Sequence, residues 1–398
     1  MAGFKYGHVI AAINTTVEHF KDNSCALGKV EHKKIEIIHT PDENDMGIMH
    51  MTLIHLECEK PETVDSTVAT LHGCPFVVFV EPNFTGEFHE VPNDPILEEI
   101  HEVPNDPFLG EFHAIPNDPL FGELYGMQMI NAPNAWRRVI GNPNTLVGIL
   151  DSGIDDRHPD LRQNLRLPNN PRFSDFRDNT GHGTHVAGTI GAIGNNRLGV
   201  VGVCWQVGLV IFKIGNEGIN LASAISAIQY ATTHNIPILN CSWGGRQHSD
   251  SLRFALQQYN GLVIVSAGNN GTNNDNVPMY PASYRLPNII SVAATDKSNQ
   301  IARFSNFGQR NVHIAAPGAD ILSTDIGNQY RQKSGTSMAA PHVAGAAALL
   351  KVFRPNITTV QIRNIILSTA TRTPATNGRV STGILNVGAM INEAMRLA

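Results

Sequence analysis

Most of this 398-residue chain predicts an α/β fold, a mostly parallel sheet with helices on both faces. Two observations carry that prediction. From about Leu124 onward, short runs that are apolar throughout recur: TLVGIL (145–150), GLVIFKI (208–214), IPILNCS (236–242), GLVIVSAG (261–268) and NIISVAAT (288–295). Helical stretches lie between them, notably ASAISAIQYATTH (222–234) and DSLRFALQQYN (250–260). A strand with no polar alternate positions is buried on both faces, and a helix between successive strands is what parallel pairing requires. In such sheets chemistry gathers at the carboxyl ends of the strands. The composition agrees: 42% hydrophobic residues supply a sizeable core, and 35 glycines suit tight turns and close backbone approaches.

Ahead of this region, residues 6–83 read as a separate small α+β unit. YGHVIAAI is strand-like, and TTVEHFKDNSCAL is helical after a threonine able to cap it. KKIEIIHT and GIMHMTLIHLE follow as strands. PETVDSTVATL opens with helix-start chemistry, and CPFVVFVEP closes as a buried strand. The order β-α-β-β-α-β is that of the ferredoxin-like plait.

Residues 84–123 join the two. FHEVPNDPILEE (88–99), IHEVPNDPFLGE (100–111) and FHAIPNDPLFGE (112–123) align without gaps as a twelve-residue repeat. Two prolines in each copy forbid a continuous helix, and Asn-Asp-Pro favours turns. The segment carries acidic residues and no lysine or arginine, and removing it turns the net charge from −6 to about +4. It reads as a solvated, duplicated connector, with an acidic arm for a partner or calcium as the alternative.

Several function classes drop out on composition. The net charge of −6 comes with no basic stripe, so nucleic acid is not an expected partner. The longest apolar run, Met338 to Leu350, is interrupted by Pro341 and His342, whereas a membrane span needs roughly 20 apolar residues. Five cysteines without a CxxC pair argue against a disulfide framework or a structural zinc site. No basic segment leads into a long apolar run at the start, so no signal peptide is expected, and the compartment stays open.

Four positions carry candidate chemistry. Asp151 ends the strand TLVGIL beside Ser152-Gly153, either as a turn residue or as a carboxylate at the active edge of the sheet. His182 stands in NTGHGTHVAG, where glycines leave room around an imidazole; His182 and His185 could also ligate zinc, but no HExxH motif or cysteine supports that. Ser337, in GTSMAAPHVAG, lies at a helix start because Pro341 is tolerable only near one; it is an ordinary cap or a nucleophile facing free N–H donors. Asn269, in VSAGNNG, follows another buried strand as a turn residue or an oxyanion donor.

Together the strings DSGID, HGTHVAGT and GTSMAAPHVAGAAAL, in that order, resemble the subtilisin-like serine proteases (peptidase S8) over Leu124 to the C-terminus; the Asp–His–Ser order of subtilisin is a known signature. The resemblance implies a three-layer α/β/α catalytic domain. It also implies a serine endopeptidase in which Ser337 is the nucleophile, His182 the general base and Asp151 its orienting carboxylate, with Asn269 and the Ser337 N–H as oxyanion donors. Ser242-Trp243-Gly244 resembles the edge that pairs with an extended substrate, although core packing would equally explain Trp243. Ser266-Ala267-Gly268 resembles a wall of the pocket for the residue before the scissile bond, where small side chains leave room for a large apolar group.

The same resemblance implies a Ca²⁺ site at Asp118, Asp160 and Asn196 with carbonyls of Gly194, Leu198 and Val200, all oxygen donors, though Asp160 could instead cap a turn. No organic cofactor is expected. Residues 6–83 resemble the family's inhibitory propeptide, which is cut off by the enzyme itself, here between about Asn83 and Pro116. The expected partners are therefore protein or peptide substrates and the chain's own propeptide, with the chain acting as a monomer. The sequence departs from the family pattern at Cys204-Trp205 and in the short segment Lys213 to Gly218. Two other readings use the same residues: a peptide-binding relative that does not cut, and a protein whose acidic repeat is the working part.

Overall fold

The computed structural model describes residues 8–13, 20, 32–39, 52–58, 64–74, 76–91, 96–97 and 115–397. The first unit is an antiparallel sheet of β1 (His8–Ile13), β2 (His32–His39), β3 (Thr52–Cys58) and β4 (Val77–Pro82), in the order β2-β3-β1-β4. One face packs under α1 (Val64–His72) around Val9, Ala11, Ile54, Leu56 and Leu71. The helix read over TTVEHFKDNSCAL lies outside the described residues except Phe20, which is helical and buried.

This unit stands on the second through its last strand. Glu81 accepts hydrogen bonds from Ser249 Oγ (2.6 Å) and from the N–H groups of Asp250 and Ser251. It thus caps α6 (Asp250–Gln258), whose free N–H groups favour an acid. Burial pushes the Glu81 carboxyl above its usual range, against those hydrogen bonds. Asn83 repeats the device, accepting from the Ala222 N–H at 3.1 Å near the start of α5 (Leu221–Thr233).

The larger unit is built on seven parallel strands, β15 (Ile314–Pro317), β14 (Ile289–Thr295), β13 (Leu262–Ser266), β11 (Ile238–Cys241), β7 (Gly141–Asp151), β9 (Gln206–Lys213) and β8 (Leu165–Arg166), in that order. Residues alternate between two cores. Val147, Ile149, Ile238, Leu262 and Ile264 face α7 (Thr336–Phe353), α4 (His182–Gly191) and α9 (Val387–Arg396). Leu150, Leu239, Cys241, Val263 and Val265 face α5 and α6. Both sheet faces are covered, which makes three α/β/α layers and explains why the strands read as continuous apolar runs. Among the described residues no helix is long and apolar enough to cross a membrane, and Cys58, Cys74, Cys204 and Cys241 are buried.

Two expectations need correcting. The segment after Asn83 is not a solvated connector throughout: β5 (Thr85–Phe88) runs between β10 (Ile219–Asn220) and β12 (Trp243–Gly244), antiparallel to both, and His89 is 2% exposed. Extended backbone finds partners on both sides there, which overrides the polar, proline-rich composition. Pro341, for its part, lies inside α7 rather than at its start. Its missing N–H orphans the carbonyl of Ser337, and Ser242 Oγ donates to that oxygen at 3.0 Å instead.

Candidate active site

The carboxyl ends of β7, β11 and β13 and the first turns of α4 and α7 converge on β5. Asp151 is the last residue of β7 and fully buried. His182 is the first residue of α4, and its Nδ1–H donates to Asp151 Oδ1 at 2.6 Å. The same oxygen accepts the Ser152 N–H. The approach is close enough that a Cβ on Gly183 would collide with the Gly153 carbonyl and stand 3.2 Å from the Asp151 Cβ. Burial pulls the imidazole of His182 down, but the Asp151 charge and hydrogen bond outweigh it, and the net direction is up. Burial likewise pushes Asp151 up, opposed by the charge of His182.

Asp178, absent from the sequence reading, holds these loops together. Its carboxylate accepts from Ser152 Oγ, the N–H groups of Thr180, Gly181 and Thr184, and Thr184 Oγ1. Burial opposes its charge, but these bonds, led by Thr184, hold it below the usual carboxylate range. His185 is spent on structure: its Nε2 bonds the carbonyls of Ile321 and Arg331. Among the described residues no group of three or more His, Cys, Asp or Glu could hold a metal ion.

Ser337 is the second residue of α7, fully buried. Its Oγ donates to the Ser242 carbonyl at 2.7 Å, while His182 Nε2 is buried without a partner. The two side chains flank one peptide. The Phe88 ring lies 4.8 Å from the His182 ring, and the next carbonyl, of His89, accepts the Ser337 N–H at 3.0 Å. Asn269 stands near the same oxygen without bonding it. Its Oδ1 accepts from the Thr336 N–H and Oγ1, both at 2.9 Å, which fixes the amide and leaves Nδ2 buried and unpartnered. A Cβ on Gly335 would strike the His89 carbonyl oxygen and stand 3.1 Å from Asn269 Nδ2, so both border one small space.

The expected substrate contacts line this peptide. Trp243 pairs with Phe88 and Gly244 with Glu87, and the Ser242 carbonyl accepts the His89 N–H at 3.2 Å. The Trp243 side chain is in the core at 2% exposure, which is the packing alternative, while its backbone pairs with the chain's own Phe88. Ser266 Oγ bonds His89 Nδ1 at 2.6 Å, while Ala267 and Gly268 continue the loop, with Gly268 bonded to Thr336 Oγ1. The far wall, Ile219–Asn220, escaped notice because a two-residue strand has no periodicity; it forms despite the short Lys213–Gly218 segment. Beyond His89, the Val91 N–H donates to the Ser334 carbonyl, and Lys333 Nζ lies 2.9 Å from Glu90 Oε1.

On another side, the loop 194–200 wraps two buried acids. Asp118 Oδ2 accepts the Asn195 N–H at 2.7 Å, and its buried Oδ1 has no partner. Asp160 accepts from Asn196 Nδ2 (2.6 Å), the Val200 N–H (3.0 Å) and Tyr330 OH (3.2 Å). Burial pushes Asp118 up to about 6 and Asp160 up to about 7. In this conformation Asn196 Oδ1 is taken by the Leu198 N–H. Two adjacent buried carboxyls met by neutral donors, one oxygen of them orphaned, fit a hard divalent cation; amides and the carbonyls of Gly194, Leu198 and Val200 would have to complete its shell.

A three-layer α/β/α scaffold with a carboxylate–imidazole pair, a helix-borne serine and two N–H donors near one carbonyl defines a subtilisin-like serine endopeptidase. Residues 142–384 match the Subtilase family (Peptidase_S8), and the chain belongs to that family. It is 38% identical over 275 residues to subtilisin BL of Lederbergia lenta, covering 67% of this chain and 97% of the relative. It is 41% identical over 252 residues to the thermostable alkaline protease of Halalkalibacterium halodurans, covering 62% and 68%. Subtilisin-like protease 2 of Plasmodium falciparum is 38% identical over 248 residues, 57% of this chain but only 18% of that much longer protein. Among solved structures, a protease of Pseudoalteromonas arctica superposes with a TM-score of 0.61 at 28% identity, covering 70% of this chain and 99% of the other.

Proposed function

We propose that the chain is a self-inhibited, self-processing precursor whose Ser337, His182 and Asp151 hydrolyse peptide bonds. The observation that carries this is the His89 carbonyl, bonded to the Ser337 N–H and near Asn269 Nδ2, with Phe88 against His182. Ser337 Oγ turns from the Ser242 carbonyl to the open His182 Nε2, gives it a proton and attacks the carbonyl carbon. The oxyanion then sits between the Ser337 N–H and Asn269 Nδ2. His182 protonates the leaving amine, and Asp151 holds the imidazole in the tautomer whose Nε2 accepts. Water hydrolyses the ester by the same relay.

In this reading residues 6–83 are the inhibitor, 84–123 its tail and 124–398 the catalytic domain. Glu81 and Asn83 anchor the tail at helix N-termini of the catalytic layer, which supports inhibition within one chain acting as a monomer. Asp118, Asp160 and Asn196 would hold a structural Ca²⁺, whose charge offsets the two buried carboxyls. Substrates are extended peptides added as a strand between β10 and β12. A fluorophosphonate should label wild type and spare Ser337→Ala, and Ser337→Ala should stay full length while wild type is cut. Labelling that survives Ser337→Ala overturns the assignment of the nucleophile. A wild type that is neither labelled nor cut favours the binding-only relative.

A further inference from the structure

The strand in the cleft stands in one register, and that register chooses a bond. On one side of the bond, the His89 N–H bonds the Ser242 carbonyl and the His89 carbonyl bonds the Ser337 N–H. On the other, the Val91 N–H bonds the Ser334 carbonyl and Glu90 pairs with Lys333 at 2.9 Å, the lysine being 4% exposed. The carbonyl beside the serine is therefore that of His89, and the bond presented is His89–Glu90.

The pocket that takes the His89 side chain gives the imidazole one hydrogen bond and leaves its Nε2 buried without a partner. The ring is buried, with Nδ1 bonded to the fully buried Ser266 Oγ at 2.6 Å. Its far edge lies over Gly244, where a Cβ would stand 2.8 Å from His89 Cε1 and 3.2 Å from Nε2. A buried hydroxyl that bonds a substrate group discriminates against side chains lacking it, because the hydroxyl is then stranded. The small residues 266–268 thus carry one polar point, the Ser266 hydroxyl, toward the side chain they take.

We propose that this cleft selects histidine as the residue before the scissile bond, and that its first substrate is the chain's own linker, cut between His89 and Glu90. The inference rests on Ser337 and His182 acting as nucleophile and base. The His89–Glu90 C–N bond breaks as the Ser337 ester forms on the His89 carbonyl. The proton goes through His182 to the Glu90 nitrogen, and water then frees the His89 carboxylate and restores the Ser337 hydroxyl. The repeat acquires a meaning on this reading. Phe88-His89-Glu90-Val91-Pro92 recurs as Ile100-His101-Glu102-Val103-Pro104 and as Phe112-His113-Ala114-Ile115-Pro116, so the linker spells the recognition sequence three times. A cut after His113 leaves Asp118 on the catalytic domain, where Leu120 donates to the Gly199 carbonyl at 2.8 Å.

The test uses the full-length protein. Mass spectrometry of the processed wild type should find new N-termini at Glu90, Glu102 or Ala114 and the matching C-terminal histidines. Processed enzyme should hydrolyse a peptide of sequence 85–91 with kcat/KM about tenfold above versions carrying His89→Phe, His89→Leu or His89→Ala, and Ser266→Ala should shrink that ratio. Protein that labels with fluorophosphonate yet is cut only at bonds not preceded by histidine overturns the inference and leaves the peptidase reading standing. So does a peptide series without histidine preference. Absence of both label and cleavage in wild type overturns the peptidase reading and this one with it.

Discussion

Two fully buried aspartates, Asp151 and Asp160, face opposite solutions to the same cost. Taking a carboxylate out of water is expensive unless something nearby favours its charge. Asp151 meets an imidazole at 2.6 Å, so its counter-charge is a side chain of the same chain and can change protonation during a reaction. Asp160 meets only an amide, a backbone N–H and a phenol, with a second acid, Asp118, raising it further. One site is completed from within and is suited to catalysis; the other, on the reading proposed above, would be completed by a cation from outside and serve stability. Sequence alone shows two acids after apolar or turn segments; the partners decide what each is for.

The largest effect should come from breaking the first pair. Asp151→Asn keeps the shape but favours the wrong imidazole tautomer, and kcat should fall about 10⁴-fold, read with a peptide substrate. Asn269→Ala removes one oxyanion donor and should cost about 10²- to 10³-fold in kcat with KM little changed. A fall confined to KM would mean that the amide binds substrate rather than the developing charge.

How much of this was legible beforehand follows from who supplies the partner. The five central strands could be read because both faces are buried and the apolar runs say so. β15, with the short string IAAP, and the hairpin of β16 (Ile321–Asp325) and β17 (Gln329–Lys333), with its serine, threonine, arginine and glutamine, could not, since their pairing partners carry the information. The same divide holds in the site. Asp151, His182, Asn269 and Ser337 stand at strand ends and helix starts, where local chemistry is expressive. Asp178 and Lys333 gain their meaning from chain 26 and 243 positions away, and only the fold supplies that. The polar, acidic look of 84–91 misled for the same reason: composition describes a free linker, not one with a strand on either side.

The second pair is probed by chelating the cation proposed for it. A ligand at about 100 times its Kd stabilises the folded state by about 2.7 kcal/mol, so EGTA should lower the Tm of the processed enzyme by several degrees. Asp118→Asn should have a lower Tm in calcium and respond much less to EGTA. A Tm indifferent to EGTA in wild type would put the two acids in the same class as Asp151, satisfied by the protein alone.

The smallest effect, and the sharpest on the comparison, is the pH profile. His182 must be neutral to accept the serine proton, and a raised pKa means that it loses its own proton only above the ordinary histidine value of about 6.5. Activity on the acid limb should therefore rise about tenfold per pH unit and level off on the alkaline side of 6.5. Clearing the linker from the cleft re-exposes the ring and weakens burial, the largest influence that lowers it, while also removing the smaller raising effect of Glu90. The charge and hydrogen bond of Asp151 stay and set the direction in the processed enzyme. In Asp151→Asn the carboxylate that most favours the imidazolium is gone, burial and the Lys333 charge prevail, and the limb should move to lower pH while the rate falls. A limb that stays where it was would show that Asp151 positions the ring without paying for its charge, and the contrast with Asp160 would collapse to one of geometry.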